Sequence, residues 1–486
     1  MAIGGLPMPK LSEFIAQVAP LAADGVSHGA DITFDSVSTD SRTLMPGALF
    51  VALSGPNFDA NTFIRAAKSR GATAAVVTRI DESMRSVGLP LVQVGDALLA
   101  LQQWARYWRG QWAGRMIAVT GSNGKTTVKQ MVASILSHAV GPDHAWATPG
   151  NLNNHIGVPL SVLGLSSAHQ LAVVELGMNH PNEIAGLARI AAPHVAVVTN
   201  AQREHQEFMK SVAAAAEENG QVFTALPNDG VAIFPNDDVH ESIWVRQANR
   251  RRMIRFGFSD VFDDIFYGKE VLGSWDVDPH DSTPILRITF PNQQWIGLRL
   301  RGVGQHFALN ALAAAACAYA VDITPADIAA ALNAFEPVAG RGRRCALAGG
   351  GVVVDDSYNA NPDSVRAAID ALASMPMPQA LVLGDMGEVG DQSELFHQEV
   401  LRHAAQRNIP SIWLHGAAFG SAQRQTGIGQ HFDDIHRLID GVRDWSARQQ
   451  ANQSTPSIWV KGSRFMKMER VVRSLGSTAG ETAQCS

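Results

Sequence analysis

Residues 116–127 read MIAVTGSNGKTT, an apolar strand running straight into a glycine turn. Val128, Met131, Val132, Ile135 and Leu136 then recur at helical spacing, which predicts one buried helix face directly after the turn. Strand, glycine turn and helix is phosphate-binding architecture. Gly121 and Gly124 allow backbone N–H groups close to phosphate oxygens, and the helix N-terminus favours negative charge. Lys125 is placed to reach terminal phosphates and Thr126 to ligate magnesium, so Gly121, Ser122, Asn123, Gly124, Lys125, Thr126 and Thr127 form the expected ATP-binding loop. The general P-loop pattern asks for glycine five positions before Gly124, where Val119 stands, so only the shorter form GxxGKTT is met. A plain glycine turn opening a helix would not require Lys-Thr-Thr at its start.

Further apolar strands at 171–176 and 195–199 extend a mostly parallel sheet. Ligands gather at the carboxyl edge of such sheets. Glu175 closes the strand LAVVE, where an acid without a partner would be costly, and this favours a cation or hydrogen-bonding role. His205 follows VAVVTN by a few residues. Alone it reads as a surface or hydrogen-bonded histidine; beside this loop, a metal ligand is the stronger expectation. Residues 285–290 and 295–300 look like an antiparallel hairpin, and an alanine-rich helix follows from about residue 310.

Before this region, residues 34–77 read as a small α/β unit. Trp104, Trp108 and Trp112 recur every four residues, which on a helix puts them on one side, most simply packed against a neighbouring domain. After it, the stretch VAGRGRR at 338–344 precedes a new alternation of strands and helices and implies a third, Rossmann-like domain.

The totals agree. The chain has 486 residues, and at roughly one domain per 150 residues three domains are expected. Hydrophobic residues make up 46% and charged residues 17%, which excludes disorder, coiled coil and collagen. A net charge of -6 gives no general attraction to nucleic acid or anionic membranes, so phosphate binding must be local. Cys317, Cys345 and Cys485 have neither the pattern of a disulfide framework nor zinc-ligand spacing, and a reducing cytoplasm is the expected location. No membrane span is expected.

Five separated stretches, TGSNGKTT, TPGNLNNHIGVPL, VVELGMNHPNEI, GQHFALNALAAA and DDSYNANPDS, resemble the Mur ligases. The likeness runs from STDSR at 38–42 to VKGSRFMKMERVV at 460–472. Within the family it points to the branch that joins D-alanyl-D-alanine to UDP-N-acetylmuramoyl-tripeptide. The resemblance implies an α/β fold of three domains. These are a small UDP-sugar substrate-binding domain at 1–113, a central P-loop ATPase with a mostly parallel sheet at 114–338, and a C-terminal Rossmann-like ligase domain at 339–486. It further implies ATP and Mg2+, an acyl-phosphate intermediate, and small-molecule partners; a monomer is expected.

By the same resemblance Lys125, Glu175 and His205 would be catalytic, with Thr126, Glu175 and His205 holding magnesium. Asn310 would contact adenine, Arg341 the ATP phosphates and Asp356 the ribose. Two of these have a plainer reading: Arg341 as a solvated charge beside Arg343 and Arg344, and Asp356 as a helix-capping or turn acid, with Asp355 as a competing candidate. Ser38, Asp40, Ser41, Arg42, Asn151 and Asn154 would face the UDP-sugar, although turn formation alone explains them. Tyr358, Asn359 and Asn361 would border the amine or nucleotide, or simply cap the helix that starts at Pro362.

One departure stands out. Many Mur ligases carry a carbamylated lysine where ungapped alignment puts Asn219, and asparagine forms no carbamate. The expectation is therefore an enzyme that works without carbamylation, with Glu217 and Glu218 as the nearest replacement acids. Phe307 likewise replaces a family asparagine. Another Mur-type amino-acid ligase is the neighbouring alternative, and a P-loop NTPase switch is the alternative from a different class.

Overall fold

A computed structural model describes residues 8–24, 31–204, 207, 209, 211–236, 238–259, 270–278 and 283–476. Among the described residues three large sheets organise the chain, beside a two-stranded one formed by Ser54–Gly55 and Phe58–Asp59. The first has five strands in the order Ala22–Asp24, Leu91–Gln93, Ala74–Val77, Ala48–Val51 and Ser36–Ser38. All its pairs are parallel except the first.

The central sheet has nine strands. Seven run parallel, from Ala145–Ala147 through Leu171–Glu175, Arg115–Thr120, Val195–Val198, Val231–Pro235 and Arg252–Phe258 to Glu270–Val277. The expected hairpin, Pro284–Thr289 and Trp295–Arg299, closes one edge antiparallel. Parallel sheets need both faces covered, and their strands are accordingly apolar throughout. Register positions the chemistry: Glu175 pairs with Val119 and Val198 with Thr120, so three strands end together where the phosphate loop begins.

Helix Lys125–Val140 buries Val128, Met131, Val132, Ile135 and Leu136 completely, as its periodicity predicts. Each such side chain contributes roughly 1.5–3 kcal/mol by leaving water. The alanine-rich helix spans Gln305–Ala320 and starts five residues earlier than expected. Gly304, with φ 86°, is its N-cap, a glycine start that the search for alanine periodicity passes over. Its buried alanines let it share one core with helix Lys125–Val140. Phe307 belongs to that core and is 3% exposed.

The third sheet has six strands in the order Arg343–Ala346, Val352–Asp356, Ser457–Lys461, Gln379–Gly384, Ser411–His415 and Gln430–Phe432. It is parallel beyond its first pair. The tryptophan expectation holds in part. Helix Ala97–Gln111 contains Trp104 and Trp108, while Trp112 is its extended C-cap. Trp108 Nε1 donates to Leu165 O at 3.0 Å and Trp112 Nε1 to His169 O at 2.9 Å, tying this helix to the central sheet's surroundings. Trp104 instead packs within the first core, against Phe14 and Phe34. Among the described residues, no helix is long and apolar enough to cross a membrane.

Candidate active site

The two loop glycines are required by what lies behind them. Gly121 has φ 127°, and a Cβ there would stand 2.1 Å from Thr199 Oγ1; at Gly124, φ 84°, it would stand 2.3 Å from Asn310 Oδ1. Asn310 is thus packed on the loop itself. The turn is braced from the neighbouring strand end, since Asn123 N donates to Asn200 Oδ1 at 2.9 Å and Thr199 Oγ1 donates to Asn123 O at 2.7 Å. Its shape is held by protein groups, which is preorganisation for a ligand.

Glu175 is 2% exposed. Its Oε1 accepts from Asn153 Nδ2 at 2.8 Å and from Thr126 Oγ1 at 3.2 Å, while Oε2 is buried with no hydrogen-bond partner. An orphaned carboxylate oxygen beside a threonine hydroxyl is a donor set that fits magnesium, which keeps several waters and uses one or two protein oxygens. One turn on, Lys129 is fully buried and donates to Thr148 O and Gly150 O, both at 3.1 Å, fixing the loop that carries Asn151, Asn153 and Asn154. Burial pushes the Lys129 pKa down, and the nearby Glu175 opposes that shift. Sequence reading passed over Asn153 and Lys129. Within GNLNN the family resemblance singles out Asn151 and Asn154 but not Asn153, and Lys129 lies outside the apolar positions that mark its helix.

Glu217 and Glu218, the nearest acids to Asn219 in sequence and the expected replacements for the carbamylated lysine, are both engaged elsewhere. Glu217 pairs with Arg246 and accepts from Gln247, and Glu218 accepts from the backbone N–H groups of Asn182 and Ile184 at 2.8 Å each. The helical turn directs both away from the phosphate loop. The acid beside Lys125 is Glu204, its Oε2 3.2 Å from Lys125 Nζ. Asn219 explains its placement: the amide donates from Nδ2 to Glu204 Oε1 at 3.1 Å, while Oδ1 accepts from Gly121 N at 2.9 Å and Thr120 Oγ1 at 2.7 Å. Lys125 Nζ also donates to Gly121 O and Ser122 O. His205 lies outside the described residues.

The third sheet supplies the opposite wall. Arg341 lies over the Tyr358 ring, 3.9 Å from its centroid, with Nη2 3.4 Å from Thr126 Oγ1. It is therefore no solvated charge, and burial lowers its pKa against the pull of Glu175. Asp356 lines the cavity and accepts from Lys461 Nζ at 2.7 Å. Asp355 is the turn acid, accepting from Gly340 N at 2.8 Å and from Ser357. Asn361 does two things at once: its Oδ1 caps helix Pro362–Ala373, and its Nδ2 donates to Asn123 Oδ1 at 2.8 Å. The Tyr358 hydroxyl accepts from Asn151 Nδ2 at 3.1 Å.

One cavity of about 470 Å3 gathers these groups, with Ser122 to Thr127, Asn151, Asn154, Glu175, Asn310, Arg341, Asp356, Tyr358, Asn359 and Asn361 among its walls. Ser38, Asp40, Ser41 and Arg42 do not line it. Asp40 is paired with Arg42 at 2.7 Å, and the hydrogen bonds from Arg42 hold its pKa at about 2. Asn154 Oδ1 accepts from Ile156 N and Gly157 N, the turn role that its residue type alone suggests.

The Mur ligase middle domain matches residues 119–318, and the "Mur ligase, glutamate ligase domain" matches residues 340–453. The UDP-N-acetylmuramoyl-tripeptide--D-alanyl-D-alanine ligase of Escherichia coli is 38% identical to this chain, covering 93% of it and 96% of the relative. The chain belongs to the Mur ligase family. The ligase of the same name from Haemophilus influenzae is 33% identical over 96% of this Mur ligase and 99% of its own length. Among solved structures, MurF from Acinetobacter baumannii superposes with a TM-score of 0.85 at 29% identity, covering 96% of this chain and 99% of that one. MurF ligase from Thermotoga maritima in complex with ADP gives 0.76 at 25% identity, over 90% and 96% respectively. The Mur ligase cavity therefore lies where the middle-domain match and the C-terminal match face each other.

Proposed function

We propose that this Mur ligase uses ATP and Mg2+ to join D-alanyl-D-alanine to UDP-N-acetylmuramoyl-tripeptide, forming ADP and phosphate, in the cytoplasmic synthesis of peptidoglycan precursor. The observation that carries the reading is the cavity in which Lys125, at the start of helix Lys125–Val140, and Arg341, just before strand Arg343–Ala346, meet the Thr126–Glu175 pair, in a chain matched nearly end to end by a relative of that name.

A carboxylate resists amide formation because it is anionic and has no good leaving group. Transfer of the γ-phosphoryl group to the tripeptide carboxylate supplies one, but two anions must first be brought together. Lys125 and Arg341 offset that repulsion and the charge that develops during transfer. Thr126 and Glu175 would hold Mg2+, whose chemistry there is to neutralise phosphate oxygens, and His205 would support a second ion. The amine then attacks the acyl carbonyl, the C–N bond forms, and phosphate leaves with one oxygen of the original carboxylate. The dipeptide α-amino group has a pKa of about 8, so about a tenth is neutral at pH 7 and a strong general base is not obligatory.

The remaining assignments belong to the same proposal. Asn310 meets adenine and Asp356 the ribose; Asn151, Asn154, Ser38, Asp40, Ser41 and Arg42 receive the UDP-sugar; Tyr358, Asn359 and Asn361 border the amine. The domains divide at 113/114 and 338/339, and the chain acts as a monomer.

Phosphate release from ATP, measured with the nucleotide-tripeptide in the presence and absence of D-alanyl-D-alanine and with mass analysis of the product, tests this. Release should require both substrates and yield the pentapeptide nucleotide, with carboxylate 18O recovered in phosphate. Ligation of a single amino acid instead would indicate another Mur-type ligase. Phosphate release without an acceptor would indicate an NTPase switch.

A further inference from the structure

Of the consecutive residues Gln202, Arg203 and Glu204, the outer two touch the loop at 121–127 and the middle one grips two helices beside the third sheet. Gln202 clasps the phosphate loop: its N–H donates to Ser122 Oγ at 2.9 Å, and its Oε1 accepts from Asn123 Nδ2 at 2.6 Å. Glu204 pairs with Lys125, as above. Between them Arg203 points the other way, to the helices of the third sheet. Its Nη1 donates to Glu399 Oε2 at 2.7 Å and its Nη2 to Glu399 Oε1 at 3.0 Å. Its Nε lies 3.1 Å from both oxygens of Asp363, and its backbone N–H donates to Asp363 Oδ2 at 2.9 Å. The guanidinium also covers the Phe396 ring at 5.1 Å. Asp363 opens helix Pro362–Ala373, whose cap Asn361 meets the phosphate loop, and Glu399 lies in helix Ser393–Gln406.

We infer that Arg203 is a positioning residue of the ligation reaction, a two-carboxylate latch that couples seating of the C-terminal sheet to the placement of Gln202 and Glu204 against the ATP-binding loop. The physical reason is rigidity. A planar guanidinium gripping two carboxylates from two helices has little freedom, and the residues on either side of it in the chain have no more. Arg203 is 19% exposed in its side chain, so the latch is partly shielded from solvent. Arg366 Nη1 donates to Glu399 at 2.9 Å and orients that carboxylate. A lysine at 203 could reach one carboxylate but could not fork between two.

The inference rests on the proposed function for its kinetic arm, and a binding arm keeps it separable. R203M and the pair D363N/E399Q are compared with the unaltered protein in thermal unfolding, in kcat and KM for all three substrates, and in calorimetric titration with ADP. R203M should unfold cooperatively, lose about 10- to 100-fold in kcat, and bind ADP about tenfold more weakly, because a small displacement of loop groups acts on the reacting geometry. Adding D363N/E399Q to R203M should cost nothing further, as expected when both changes break one interaction. R203K should fall between R203M and the unaltered protein. A folded R203M with kcat and ADP affinity within about twofold of the parent overturns the inference, as do additive losses. If R203M does not fold, D363N/E399Q carries the same two readouts and the same criterion. A parent protein that binds ADP and forms no product would sink the proposed function while the titration still decides the latch.

Discussion

Glu204 holds its carboxylate 3.2 Å from the ammonium of Lys125 while the amide of Asn219 fixes its other oxygen. The same amide accepts the Gly121 N–H, so one neutral side chain ties the acid to the phosphate loop. A lysine at 219 would have donors only, and an aspartate acceptors only; the bridge requires both.

Asn219 should therefore make turnover independent of bicarbonate. In a bicarbonate-depleted assay kcat is expected to stay unchanged, and a marked loss restored by bicarbonate would refute the assignment. Asn219→Leu should lower the free energy of unfolding by about 1–3 kcal/mol, because buried partners lose their bonds. Urea titration of both proteins measures this.

Lys125→Ala should reduce ADP formation by at least about 100-fold, the scale seen when one preorganised group that stabilises developing charge is removed. Steady-state assay at saturating substrates reads the loss. Activity within an order of magnitude of the parent would mean that Lys125 does not face the transferring phosphoryl group.

Glu175→Gln keeps an acceptor for Asn153 and removes the charge beside the orphaned oxygen. Hard cations prefer anionic oxygen, so the Mg2+ concentration giving half-maximal activity should rise about tenfold or more. A magnesium titration with an unchanged midpoint would place the ion elsewhere.

His194 makes stability sensitive to acid. Its Nδ1 accepts from Met116 N at 3.1 Å and lies 3.4 Å from Arg109 Nη2, so the ring is built to be neutral. Burial, aided by Arg109 and Arg115, lowers its pKa. The unfolded chain then binds a proton more readily than the folded one. Its contribution is complete above the ordinary imidazole value of about 6.5 and declines as pH falls below it. Urea midpoints at about pH 8 and about pH 5.5 should show lower stability in acid, with a shallower dependence in His194→Asn.

Much of the cavity lining was legible because many of its residues are neighbours in sequence. Gly121 to Gly124 form the turn that opens helix Lys125–Val140, and Glu175 is readable as a charge ending an apolar strand. The helix at 305–320 was read too short because its first turn, GQHFALN, lacks the alanine signal and Gly304 does not look like a cap. Glu217 and Glu218 are close to Asn219 along the chain, yet a helix turns successive side chains by about 100°. Neighbours of Asn219 in sequence therefore face elsewhere.

The sequence by itself determined the three α/β units, the glycine turn at 121–124 and the buried face of the helix after it, since those follow from local spacing and from the need to bury apolar side chains. Only the tertiary structure decided that Glu204 answers Lys125, that Asp356 rather than Asp355 faces the cavity, and that Arg203 grips Asp363 and Glu399. These pairings join residues up to 196 positions apart. They depend on how sheets and helices stack, which strand and helix periods do not encode.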